Sequence, residues 1–325
     1  MSETTHQIFA DWSLPIWLTA AIVLTAGVYL RGWLAIRRTR PLQFTSFRLG
    51  SFCAGLGVLW LAIGSPMDGF ADVLLSAHMV EHLLLMSVVP PLLLFGLPVV
   101  PLLRGLPKVV VLFIIAPLMR SLALRRFGHW LITPLVAWLL MNASFLGWHV
   151  PSAYDFALEH ENWHVVEHVC FLTSSILFWW CLIRPWPTRT QPPTWGILLY
   201  LLSADVVNTM LSAFLAFCDR PVYTFYLDHP NPFQVSPLQD QVLGAVIMWV
   251  FGSLAFLLPA MFIAVRLAGM SSGDLETVST TDPTINLHPQ TERPLHRRRA
   301  APDRSVASTH PQTTHRNEPT PPAQR

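Results

Sequence analysis

The chain has 325 residues, 52% hydrophobic and 12% charged, with a net charge of +2 and a mean hydropathy of +0.45. A soluble domain carries about 25% charged residues, so this composition excludes an ordinary aqueous globule, a disordered chain and a secreted disulfide scaffold. Thirteen His are many for such a chain, because an ionised group in the hydrocarbon region costs about 2.5–3.5 kcal/mol on insertion scales.

The opening MSETTHQIFADWSLP has no basic region ahead of the first apolar run, so that run is expected to stay as a span rather than be cleaved. A hydrocarbon core about 30 Å thick needs about 20 apolar helical residues. That rule predicts an all-α seven-transmembrane helix bundle with spans near 14–36, 46–64, 74–97, 131–150, 162–183, 195–217 and 240–265. The intervening KVVVLFIIAPLM (108–119) is too short to cross and is expected at the interface or packed on the bundle. Residues 1–13 read as a short outer segment and 14–268 as the membrane domain. The Pro-, Thr- and Arg-rich stretch 269–325 cannot bury enough apolar surface to order itself and reads as a disordered cytoplasmic tail. Cys53, Cys170, Cys181 and Cys218 are isolated in apolar surroundings and read as packing residues.

Positive charge sets the orientation. With the N-terminus out and the C-terminus in, every Lys and Arg except Arg220 falls on the inner side. Counting 108–119 as an eighth span would spoil that partition. The outer side then carries mostly carboxylates, an acidic rim that attracts cations.

On this topology His78, His82, His149, His160, His164 and His168 reach the outer side or the outer part of a span, as do His6 and His229. The third span enters with His78-x-x-Glu81-His82 and the fifth with His164-x-x-Glu167-His168, preceded by His160. Residues i and i+4 share one helix face, so each motif aims two imidazoles the same way. The fourth span ends at Trp148-His149-Val150-Pro151, bringing a fifth imidazole to the same rim. Neutral imidazole suits copper, zinc, iron and nickel, and Glu81 and Glu167 can orient a ligand His or bind a metal themselves. One His in a span is ordinarily hydrogen-bonded to a neighbouring helix; the combined set points to a metal or haem site. Met79, Met86, Met141 and Met248 offer soft thioethers, although Met in a span usually only packs. Asp205, Asn208, Thr209 and Ser212 form a polar stripe on the sixth span, read either as an ion path or as interhelical hydrogen bonding.

Several blocks in order resemble the multi-span CtaG family of cytochrome c oxidase assembly proteins linked to caa-type oxidases. They are HMVEHLLLMSVVPPLLLFGLP (78–98), WHVPSAYDFAL (148–158), WHVVEHVCFLTSSILFWW (163–180), RPVYTFY (220–226) and DQVLGAVIMW (240–249). The family commonly has Gln where this chain has Glu81. The resemblance implies a non-enzymatic factor in a bacterial plasma membrane that helps a haem-copper oxidase mature. Copper would be its cargo, and oxidase subunits and the bilayer its partners, with no nucleic acid. On that reading His78, His82, His149, His164 and His168 are ligands, tuned or gated by Glu81, Glu167 and Asp240. Two alternatives stay open. One is a membrane metalloenzyme, since H-x-x-E-H matches a zinc-protease pattern. The other is a b-type haem protein with His82 and His168 as axial ligands.

Overall fold

Helices that are apolar on every side have no water-facing stripe and belong either to a large core or to a membrane. The computed structural model describes residues 12–186, 195–228 and 233–279, and every regular element among them is helical. In chain order the long helices are α1 (Ile16–Arg37), α2 (Ser46–Gly64), α3 (Leu75–Phe95), the shorter α4 (Pro134–Trp148), α5 (Glu161–Ile183), α6 (Trp195–Phe217) and α7 (Pro237–Gly269). All except α4 are long and apolar enough to cross a membrane alone. Helix α4 has 15 residues and joins Leu122–Leu131 at a bend of 68°. A second bent pair, Val99–Gly105 and Lys108–Arg120, turns through 115°. The chain thus has six candidate spans, or up to eight if each bent pair is one span. The segment 108–119 lies in the second arm of that pair and buries no side chain.

Trp17 is 89% exposed and Phe217 80%, and large apolar residues are exposed along α1, α4, α5, α6 and α7. Lipid is the solvent that suits such a surface. The helix backbone of α7 continues to Ser279, beyond the end expected from composition. Residues 280–325, with nearly all of the expected tail, lie outside the described residues, as do 1–11 with His6, 187–194 with Arg189, and His229.

Close approach fixes the bundle where side chains are smallest. Helix α1 lies against Val99–Gly105, and a Cβ at Gly32 would overlap the Pro101 carbonyl, just as one at Gly105 would overlap that of Val28. Small residues at the crossing let two backbones meet, as is common between helices in lipid.

Helix α3 is the most shaped element. Its N-cap position is Leu74, which has no side chain able to cap. Asp240 of α7 takes that role from across the bundle, its Oδ2 accepting from the Leu75 N–H at 2.6 Å and its Oδ1 from the Ser76 N–H and hydroxyl. A carboxylate there satisfies orphan N–H groups and opposes the helix dipole. Further in, Pro90 has no N–H to donate to the Met86 carbonyl, and its ring crowds that oxygen. The helix relieves this with a π-turn over Leu84–Val88, in which the Val89 N–H reaches the Leu84 carbonyl. The freed Met86 carbonyl accepts from Trp179 Nε1 of α5 at 2.9 Å. At the far end, Arg48 donates to the Phe95 carbonyl and the Tyr29 hydroxyl to that of Gly96. The start, the π-turn and the end of α3 are thus each tied to a side chain of another helix.

Candidate metal centre

The two H-x-x-E-H turns lie on α3 and α5, at the start of each helix. Helical periodicity puts His78 beside His82 and His164 beside His168, each pair with ring centroids 4.2 Å apart. Packing of α3 on α5 then brings the pairs together. His78 lies 5.1 Å from His164 and 6.1 Å from His168, and His82 lies 5.7 Å from His168, centroid to centroid. His149, at the end of α4, comes within 5.8 Å of His82. All five imidazoles expected to converge do so, and all except His164 are buried.

The carboxylates cross between the motifs. His82 Nε2 lies 3.4 Å from Glu167 Oε1, and His168 Nε2 lies 3.9 Å from Glu81 Oε2. Each Glu therefore faces the second His of the other helix. His149 Nδ1 contacts the Phe145 carbonyl at 2.7 Å. A carbonyl can only accept, so Nδ1 carries the proton and the Nε2 lone pair is left for a ligand. Among the described residues, both ring nitrogens of His78 and His82, and Nε2 of His149, His164 and His168, make no hydrogen bond. Buried polar atoms are normally paired, so these unpartnered imidazole nitrogens are candidate ligand atoms. Two groups fit one ion: His78, His82 and His168, and His78, Glu81 and His164. In each, the ligand atoms all lie within 4.8 Å of one another. Such a donor set, imidazoles backed by carboxylates, suits a transition metal better than a hard cation.

Three of the five Tyr roof this layer. The Tyr154 ring lies 5.2 Å from His78 and 4.0 Å from Tyr223. The Tyr226 hydroxyl donates to the Ala71 carbonyl, so it accepts from Tyr154 at 3.1 Å. Burial pushes the Tyr154 and Tyr226 hydroxyls up, and both stay protonated. Asp155 anchors the roof by accepting from the Thr224 hydroxyl and from the N–H groups of Thr224 and Phe225. These tyrosines do not appear among the residues expected to form the site. The signal was present, since they stand in the WHVPSAYDFAL and RPVYTFY blocks. Outside the roof, burial and the neighbouring Asp72 raise the Asp68 carboxyl to about 6. Both aspartates act electrostatically on Glu81.

Three of the expected supporting residues are placed elsewhere. His160 is exposed, bonds the Phe156 carbonyl at 3.0 Å and packs on the Phe156 ring; it closes the short helix Pro151–Glu159. Asp240 caps α3, so its influence on the layer runs through the position of that helix. Asp205 belongs to neither ligand group. The polar stripe of α6 divides, with Asn208 and Ser212 buried and Asp205 and Thr209 half-buried.

A family model described as "Cytochrome c oxidase caa3 assembly factor" matches residues 27–269. Among curated proteins, the chain is 27% identical over 256 residues to uncharacterised proteins of Mycobacterium bovis and Mycobacterium tuberculosis, covering 76% of this chain and 38% of theirs. A third, from Mycobacterium leprae, is 25% identical over 265 residues, covering 75% of this chain and 37% of its own length. The chain thus spans well under half the length of these relatives. No solved structure matches it.

Proposed function

Since this chain belongs to the family of cytochrome c oxidase caa3 assembly factors, we propose that it serves the copper centre of a haem-copper oxidase by holding copper transiently in its histidine layer. The observation that carries this reading is the meeting of two H-x-x-E-H turns and His149 in one buried layer whose ring nitrogens face each other unpaired. Copper supplies no reaction here; it is the cargo. His78, His82 and His168 would hold it, with His164 and Glu81 as the ligands nearer the rim. Glu167 and Glu81 would orient the second His of each motif, and Asp68 and Asp72 would draw cations toward Glu81.

The topology that goes with this reading has seven spans, with the N-terminus outside and the C-terminus in the cytoplasm of a bacterial cell. Helix α4 would cross together with its bent partner, and the Val99–Arg120 pair would stay on the inner face. This arrangement leaves every Lys and Arg but Arg220 on the inner side. It also opens the layer toward the outer leaflet. Oxidase subunits are the partners, met during assembly, and the role is not catalytic. A bis-His haem needs a porphyrin-sized slot between His82 and His168, whereas the cavity bordering His82 measures about 30 Å³. That geometry favours a bare ion over haem.

The test is a deletion strain complemented with the wild-type chain or with His82→Ala/His168→Ala. Oxidase activity and the copper content of the purified chain are expected to fall together in the double variant. Full oxidase activity with unchanged copper would refute the site, and normal oxidase in the deletion strain would refute the role.

A further inference from the structure

The fold gathers three of the spanning methionines around a single space. Met86 of α3, Met141 of α4 and Met248 of α7 line a cavity of about 30 Å³, with His82 on its wall and Asn208 of α6 beside them. The chain has ten Met in 325 residues, so three around a void of this size far exceed what composition supplies. Methionine ordinarily flexes to fill such gaps, yet three of them together leave this one open.

The surroundings hold the cavity in shape. Met86 lies in the π-turn, a feature frequent at functional sites, and its carbonyl is tied to Trp179. Asn208 presses on Gly252, where a Cβ would have no room, and its amide donates to the Met248 carbonyl at 3.4 Å. The wall therefore has its backbone fixed at two of the three methionines.

Thioethers are neutral, soft and independent of pH, and they select Cu(I) over zinc and over hard cations. A monocation among neutral ligands also costs less to bury than a dication. We propose that Met86, Met141 and Met248, with His82, form a second site specific for Cu(I) directly beside the imidazole layer. His82 belongs to both sites. Copper passes by ligand exchange: it keeps its bond to His82 while thioethers replace the imidazoles of His78 and His168. No electron or proton moves in that step. The inference rests on the copper reading above and adds to it an oxidation state and a second position.

The test uses the full chain in detergent, loaded anaerobically with Cu(I) against a competing chelator. X-ray absorption of the wild type is expected to show sulfur as well as nitrogen around copper. The variant Met86→Leu/Met141→Leu/Met248→Leu nearly conserves volume. It is expected to lose the sulfur contribution and to bind Cu(I) at least about tenfold more weakly, with Co(II) binding at the imidazoles unchanged. Nitrogen-only coordination in the wild type, with equal Cu(I) affinity in the variant, would overturn the methionine site and leave the proposed function standing. A wild type that takes up no copper would overturn both. Should the triple variant fail to fold, selenomethionine-labelled wild type decides the matter, since a copper neighbour in the selenium absorption supports the site and its absence refutes it.

Discussion

The same five letters, H-x-x-E-H, occur on α3 and on α5, and the fold treats them differently. On α3 both His and the Glu are buried, the helix begins under a cap borrowed from Asp240, and the π-turn follows. On α5 it has the same place in its helix, starting at the fourth residue, yet it leaves His164 half-buried and runs on as regular helix. The motifs are nonetheless coupled, because each Glu faces the other's second His. A motif supplies ligands of the right type; its surroundings decide which ligand is central and which is a rim group. His78 belongs to both possible ligand groups, while its counterpart His164 belongs to one.

That inequality can be broken residue by residue. His78→Ala should do the most damage, lowering copper affinity by more than the 10–100-fold typical of an outer-shell partner, whereas His164→Ala should cost about tenfold. Equal losses in a chelator competition would show the two motifs to be equivalent. Asp240→Ala removes the borrowed cap and leaves buried N–H groups of α3 unpaired, at about 1–3 kcal/mol. Its thermal unfolding midpoint in detergent should drop, and Asp240→Asn should recover part of the loss. Trp179→Phe strips the partner from the Met86 carbonyl, at about 1–2 kcal/mol, and should be milder in the same measurement because the carbonyl can find weaker partners in the π-turn.

The smallest effect is one of pH. Burial raises the folded Asp68 carboxyl to about 6 from an ordinary 3.8. Between those values the folded chain binds the extra proton, so stability falls as pH rises through the window and stays lowered above it. Asp68→Asn should therefore be more stable than wild type above pH 6, with the gain vanishing below about pH 4. A gain independent of pH would mean that ionisation of Asp68 is not its cause.

Much of the site was legible before any tertiary contact was known. Spacing of i and i+4 put His78 with His82 and His164 with His168, and charge partition suggested that both pairs lie at one depth. The crossing of the carboxylates was not legible, because it depends on the rotation of α3 against α5 and no local pattern encodes that angle. Asp240 was singled out as a tuner of the layer; its capping role spans 165 positions, far beyond any helix-cap rule read along the chain. The π-turn had a local signal in Pro90 and Pro91, which was read only as part of a family block. His160 stands one turn before a motif, which is also the place where a preceding helix ends, and it is exposed there.

What the sequence determined by itself was the solvent and the local clustering of imidazoles: apolar helices long enough for a bilayer, and His at helical spacing on two of them. Those follow from composition and from periodicity within a single helix. Tertiary structure alone decided which imidazoles meet, that three tyrosines close over them, and that Met86, Met141 and Met248 surround one void. Lipid does not drive helices together by hydrophobicity. Their pairing rests instead on close contacts such as Gly32 with Pro101 and Gly105 with Val28, and on hydrogen bonds between distant residues.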